Sequence, residues 1–145
     1  MLNGGANNTL DDKGRVTFPA ALKKSFSGDV LILTRGIEGC LWAYSPEQWK
    51  IFSEYWERKS PMLKDVRRMQ RHFLGWAQEV EIDKSGRLAI PQSLREYAKL
   101  TRNCTIMGTG QRIEIWDSAS YEAYDEGEDD NALAAMAEQF GLDSE

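Results

Sequence analysis

Apolar residues recur along this chain in two rhythms, and the switch from one to the other happens twice in the same order. Arg15–Phe18 and Arg87–Ile90 alternate polar and apolar side chains, the period of a strand buried on one face. Each follows an Asp-x-x-Gly turn, Asp11–Gly14 or Asp83–Gly86. There the carboxylate can accept from nearby backbone N–H groups and the glycine can take positive φ. A first strand therefore ends at Asp11, and its counterpart ends at Asp83. Pro19 and Pro91 stand where a first helical turn tolerates proline, so short helices are predicted over Ala20–Phe26 and Gln92–Leu100. Two further strands are predicted in each half: Val30–Thr34 and Cys40–Tyr44, then Cys104–Met107 and Arg112–Trp116. Glu79 and Glu81 alternate with Val80 and Ile82 as the solvent face of a strand would.

Helical periods fill the rest. Ser45, Pro46 and Gln48 fit the N-cap, N1 and N3 positions of a helix start. Trp49, Phe52 and Trp56 recur behind it at helical spacing, with Tyr55 beside them, and form a stripe suited to core packing rather than a ligand cage. Over Met62–Leu74, the residues Met62, Val66, Met69 and Phe73 form an apolar stripe. Lys64, Arg67, Arg68 and Arg71 take the other faces, so this helix is expected to join the two halves and pack on both. Asn131–Phe140 sets Leu133, Met136, Ala137 and Phe140 on one side, as in a helix packing on its own or a neighbouring protomer.

The two halves are copies. Asp11/Asp83, Gly14/Gly86, Arg15/Arg87, Pro19/Pro91 and Leu22/Leu94 are identical at an offset of 72. Leu41/Ile113, Ala43/Ile115, Tyr44/Trp116, Trp49/Tyr121 and Phe52/Tyr124 pair by type at the same offset, and Ser45 and Asp117 are both good N-caps. Two copies are too few for a solenoid, which leaves a pseudo-twofold α+β domain. Its expected parts are a first module over 5–57, a connecting basic helix over 58–76 and a second module over 77–124. An acidic linker and C-terminal helix occupy 125–145.

Charge changes the picture once it is located. The formal net charge of the 145 residues is -5, yet eight of the 23 acids lie in residues 125–145, which hold no Lys or Arg. The remaining 15 acids face 18 basic residues, so the body carries +3 and is compatible with a nucleic-acid partner. The acidic run Asp125–Asp130 is expected to be a solvated linker. No apolar run nears a membrane span, and Met1–Gly5 lacks the features of a secretion signal. Cys40 and Cys104 match no metal or redox spacing and read as structural thiols of a reducing cytosol.

Motifs for an enzyme are absent, and neither a cofactor, a metal nor a small-molecule substrate is expected. The single histidine, His72, reads as a surface or packing residue. Lys13, Arg15, Lys84 and Arg87 occupy or flank the duplicated turn. An arginine beside a tight glycine turn can pair bidentately with a guanine edge or clamp a phosphate. Residue types alone favour equally an internal Asp–Arg ion pair that pins the turn, and both hold if the Asp orients the Arg. The basic run Arg58–Arg71 is a second candidate, though a solvated helix face or an oligomer contact accounts for it better.

The doubled Asp-x-x-x-Arg motif, each copy followed by apolar-x-apolar-Pro and a short helix, resembles the MraZ family of bacterial transcriptional regulators. The Arg-Arg-x-x-Arg-x-Phe segment between the copies adds to the resemblance, which covers roughly residues 1–142. It implies tandem AbrB-like or MazE-like modules whose swapped hairpins form a small barrel with flanking helices. It also implies a ring-shaped homo-oligomer in the cytoplasm, associated with the nucleoid. Its DNA target would be tandem short repeats in the promoter of the cell-division and cell-wall gene cluster that includes its own gene. Carried onto this sequence, the family's DNA-contact surface selects Lys13 and Arg15, then Lys84 and Arg87. Asp11, Gly14, Asp83 and Gly86 would brace the loops. Lys13 aligns with Ser85 and Lys84 with Asp12, so the two loops place their lysines differently. The alternative reading is an antitoxin-like interaction protein whose acidic tail captures a partner.

Overall fold

A computed structural model describes residues 2–127 and 129–141 of the chain. Its strands are β1 (Leu2–Thr9), β2 (Arg15–Thr17), β3 (Val30–Arg35), β4 (Leu41–Tyr44), β5 (Gln78–Glu81), β6 (Arg87–Ala89), β7 (Asn103–Gly110) and β8 (Ile113–Asp117). Its helices are α1 (Ala20–Lys23), α2 (Pro46–Glu57), α3 (Lys64–Phe73), α4 (Gln92–Tyr97), α5 (Ser118–Glu126) and α6 (Asp130–Gln139). Six strands form one antiparallel sheet in the order β1-β7-β8-β4-β3-β5, and β2 pairs with β6 in a separate ribbon.

The duplication sets this order. The first strand of each half lies against the third strand of the other, β1 on β7 and β5 on β3. The pairings Leu41↔Ile115 and Ala43↔Ile113 put a pseudo-twofold axis through β4 and β8. The pairing Val16↔Leu88 continues it through the ribbon. The offset is not constant, however. Ile32 pairs with Tyr44, whereas Thr105 pairs with Trp116, so β7 is shifted one further residue relative to β3. Copy two has one residue more than copy one ahead of its third strand, and the equivalent of Leu31 is Cys104.

Two cores lie on opposite faces of the large sheet. Val16, Phe18, Leu88 and Ile90 from the ribbon region pack with Leu31, Leu33, Ile106, Ile113 and Ile115, most of them fully buried. Each such side chain contributes about 1.5–3 kcal/mol of burial. The other face carries Trp42, Tyr44 and Trp116, with Cys40 beside them, covered by Trp49, Phe52 and Trp56 of α2, Met69 and Phe73 of α3 and Tyr121 of α5. The predicted aromatic stripe of α2 thus packs against this core but is only partly buried, and Tyr55 beside it is 52% exposed.

The ladders leave the expected small barrel open. Among the described residues β1 and β5 end the six-stranded sheet. Besides side-chain packing, the ribbon joins the ends of that sheet's strands by single β-bridges at Leu10↔Val16 and Ile82↔Leu88. Three-residue strands are too short to carry the ladder further.

Other elements differ from their predicted bounds for local reasons. Helix α1 stops at Lys23 rather than Phe26, because Ser25, Ser27 and Gly28 (φ 78) follow. Helix α4 stops at Tyr97 rather than Leu100, where Lys99 turns to φ 55. Helix α3 begins at Lys64, since Ser60 Oγ accepts from Met62 N at 3.3 Å and holds a turn there. Met62 is consequently 83% exposed and no part of the packed stripe. The start of the predicted acidic linker is helical: Asp117 caps α5 through Ser120 N at 3.1 Å, and α5 runs on through Asp125. Leu133 and Met136 of α6 and its C-cap residue Phe140 are exposed, so that helix does not bury its apolar side on its own protomer. Met1, Glu128, Asp143 and Glu145, all parts of the sequence reading, lie outside the described residues.

Candidate nucleic-acid interface

Both Asp-x-x-Gly turns close by the same hydrogen bonds. In the first, Asp11 N donates to Arg15 O at 2.8 Å and Gly14 N donates to Asp11 O at 3.0 Å. Asp11 Oδ1 accepts from Lys13 N and Arg15 N, both at 2.9 Å. In the second, Asp83 N donates to Arg87 O at 2.9 Å and Gly86 N donates to Asp83 O at 2.9 Å. Asp83 Oδ1 accepts from Ser85 N at 2.8 Å and Arg87 N at 2.9 Å. Gly14 and Gly86 both stand at φ 77, a conformation costing an L side chain roughly 1–2 kcal/mol. The turn residues are therefore dictated by backbone geometry.

The carboxylates titrate accordingly. The Arg15 backbone N–H, with help from the Arg15 side chain and the Lys13 N–H, holds Asp11 below the ordinary carboxylate value despite desolvation. The Arg87 and Ser85 N–H groups lower Asp83 in the same way.

Beyond each turn the arginine points outward. Arg15 stands opposite Ala89 and Arg87 opposite Thr17, while Val16 and Leu88 between them are fully buried. Arg15, Thr17, Arg87 and Ala89 hence share the outer face of the ribbon. The two arginines are diagonal neighbours, at a spacing of roughly 7–8 Å in such ladders. Arg15 Nε meets Asp11 Oδ2 at 2.8 Å, and Arg87 Nε meets Asp83 Oδ2 at 3.3 Å. The first contact is a hydrogen bond. The second is an ionic contact without hydrogen-bond alignment, for the Arg87 N–H finds no acceptor. The internal ion pair and the outward guanidinium coexist: the side chains remain 30% and 35% exposed. Asp11 fixes Arg15 Nε by a hydrogen bond, Asp83 holds Arg87 Nε only by ionic contact, and both guanidinium groups stay partly exposed. Lys13 and Lys84 are exposed beside the turns.

One arginine at this site escapes a motif reading. The Arg95 side chain of α4 lies across Gly14, where an added Cβ would sit 1.7 Å from its Nη1. Nothing lies over Gly86. At the offset of 72, Arg95 corresponds to Lys23, which instead pairs with Asp29 at 3.4 Å and sits over the Phe26 ring. Aligning α1 with α4 could have shown the difference in residue type but not the contact.

The remaining candidates fall elsewhere. In the basic run, Arg58 meets Glu54 at 3.4 Å and Lys59 lies over the Tyr55 ring. Arg67 donates to Pro61 O and Met62 O, and so holds the connection between α2 and α3. The ring of His72 bonds Gly36 O through Nε2 at 2.8 Å and packs edge-on against Phe73 and Tyr97, as a packing residue does. Burial pushes the thiols of Cys40 and Cys104 up to about 12 and about 11, so both are inert near neutrality. No helix among the described residues is long and apolar enough to cross a membrane.

Comparison with known proteins bears on the same duplication. Residues 1–72 and again 73–142 match the family described as "MraZ protein, putative antitoxin-like". A protein of Treponema denticola named "Transcriptional regulator MraZ" is 42% identical over 138 residues, 94% of this chain and 96% of that relative. One of Acetivibrio thermocellus with the same name is 40% identical over 143 residues, 98% of each chain. The same family thus matches each copy of the turn in turn, and two relatives align along nearly the whole length: the chain belongs to the MraZ family.

Proposed function

We propose that this chain is a sequence-specific DNA-binding transcriptional regulator that grips duplex promoter DNA with the outer face of the β2–β6 ribbon. The observation that carries the reading is the placement of Arg15 and Arg87 on one exposed face, each steered by its own aspartate. A two-stranded ribbon fits the major groove, and a partly exposed guanidinium suits the N7 and O6 edge of guanine. Lys13 and Lys84, exposed at the turn tips, suit the flanking phosphates. Asp11, Gly14, Asp83 and Gly86 are the brace. The relatives' name agrees with this role.

The finer picture follows the family. The crossed pairing of first and third strands is what two AbrB-like modules exchanging hairpins would give, with the module bounds read from the sequence. The chain acts as a homo-oligomeric ring on tandem short repeats of its own promoter, at the head of the cell-division and cell-wall gene cluster. It works in the cytoplasm, at the nucleoid, without catalysis. The apolar side chains left exposed on α6 and at Met62 and Leu63 supply contact area for a neighbour. The test is Arg15→Ala against a duplex from directly upstream of the chain's own gene. Binding should weaken about 10–100-fold, for one lost bidentate contact of roughly 1–3 kcal/mol, with circular dichroism unchanged. Equal affinity of variant and parent rejects the reading.

An antitoxin-like role has two supports, the family description itself and the acidic α6, none of whose residues is buried. Co-purification of a stoichiometric small partner, lost on truncation after Tyr124, would favour it.

A further inference from the structure

Each turn faces a groove completed by the opposite half, and the two grooves differ in charge: three cations offset three acids in the first, whereas one lysine faces three acids in the second. The first turn's groove, about 470 Å³, is lined by Asp11 and Asp12 of the turn and by Arg95, Glu96, Lys99 and Arg102 of copy two, among others. The second turn's groove, about 620 Å³, is lined by Asp29, Glu81, Ile82, Asp83 and Lys84. Backbone hydrogen bonds identify the equivalent positions. Leu10 N donates to Arg102 O at 2.6 Å, and Ile82 N donates to Asp29 O at 2.7 Å. Arg102 therefore stands in copy two where Asp29 stands in copy one, a reversal of sign hidden by the one-residue shift.

Three further details separate the grooves. Arg95 reaches across Gly14 with no carboxylate in ion-pair contact among the described residues, whereas its counterpart Lys23 is spent on Asp29. Of the first groove's acids, Asp11 is ion-paired with Arg15, Glu96 accepts from the neutral Gln92 Nε2 at 3.1 Å and keeps its charge, and Asp12 is exposed at the turn. Lys99 holds a left-handed backbone at φ 55, where glycine would be unstrained; copy one places Gly28 at its own left-handed position after α1. A cation thus stands at a strained position on the first groove.

We infer that the groove beside the first turn is a DNA-backbone phosphate subsite formed by Arg95, Lys99 and Arg102, and that the second turn has no such subsite. The inference rests on the proposed DNA-binding function and makes the two pseudo-equivalent turns unequal in it. The first turn both reads a base edge and anchors the neighbouring phosphate. The second contacts DNA through Lys84 and Arg87 alone, next to an acidic wall that repels the backbone.

The salt dependence of binding tests it, since each phosphate contact contributes about 0.9 to the slope of log affinity against log salt. The probe is a short duplex from directly upstream of the chain's own gene, titrated between about 50 and 200 mM KCl. Arg95→Gln and Arg102→Gln should each lower the slope by up to about 0.9, Arg95→Lys should restore it, and Lys23→Gln should leave it unchanged. Lys99→Gly should raise Tm while lowering the slope. Asp29→Arg should increase the slope by opening the second groove to a phosphate. Unchanged slopes for Arg95→Gln and Arg102→Gln, with Arg15→Ala still weakening binding, overturn the subsite and leave the proposed function standing. An equal drop in Lys23→Gln overturns the asymmetry. Failure of the parent chain to bind any duplex removes both.

Discussion

The two Asp-x-x-Gly-Arg turns are near duplicates in backbone and strangers in surroundings. Both place a glycine at φ 77, both close the same hydrogen-bonded ring, and both present an arginine on the outer face of one ribbon. The first, however, has its arginine hydrogen-bonded at 2.8 Å, its glycine covered by Arg95 and basic residues across the groove. The second has a looser 3.3 Å contact, an uncovered glycine and Asp29 and Glu81 nearby. Duplication fixes what depends on local geometry. It leaves free what each copy borrows from the other, and there the two halves have diverged.

Three perturbations separate the shared from the borrowed features. The largest effect is at the axis common to both turns. Leu88→Ala empties a fully buried position opposite Val16, and should cost about 2–5 kcal/mol in chemical denaturation. Both turns should loosen together, with equal loss of hydrogen-exchange protection in residues 11–15 and 83–87. A loss confined to one turn would show that the ribbon does not couple them.

Next come the glycines. Gly14→Ala and Gly86→Ala both force an L side chain to positive φ, and each should cost roughly 1–2 kcal/mol. Only Gly14→Ala also displaces the flexible end of Arg95, which can swing away at little cost to stability. The two variants should therefore match in stability, while Gly14→Ala alone loses DNA affinity through its first groove. Equal DNA binding by the two would mean that Arg95 matters only for packing.

Smallest is the pH effect of the bracing acids. Both carboxylates titrate below their unfolded value of about 3.9. Their contribution is complete above that value and is lost as pH falls through the lower folded one. Asp11→Asn and Asp83→Asn keep an acceptor but remove this charge, so each should flatten the acid limb of the stability curve. The change should be larger at Asp11, whose arginine contact is the better aligned.

How much of this was legible in the sequence follows from how local each cause is. The turns were, because Asp, Gly and Arg within five residues determine their own hydrogen bonds. So were the caps at Ser45 and Asp117 and the packing of Trp49, Phe52 and Trp56. The segment Asn3–Asn8, rich in Gly and Asn, has little strand character of its own; it becomes part of an eight-residue strand because β7 offers it a full partner. At Gly108 the backbones come so close that a Cβ would sit 2.7 Å from Leu2 C, which explains the small residues there. Arg95 and Arg102 stayed hidden because their neighbours come from the other half. The reversal of Asp29 and Arg102 was masked by an alignment at a fixed offset of 72, which sets Asp29 against Thr101. The open ladder was equally unreadable, since strand length at β2 and β6 decides it.

The ribbon's outer face can be probed at Thr17, an exposed residue directly opposite Arg87 and two places from Arg15. Because the native thiols of Cys40 and Cys104 are buried and resist ionisation, a Thr17→Cys variant offers one reactive site to a maleimide. Its labelling rate, measured with and without saturating upstream duplex, should fall at least several-fold when DNA is bound. A rate that stays the same while the duplex is demonstrably bound would place the DNA on some other surface.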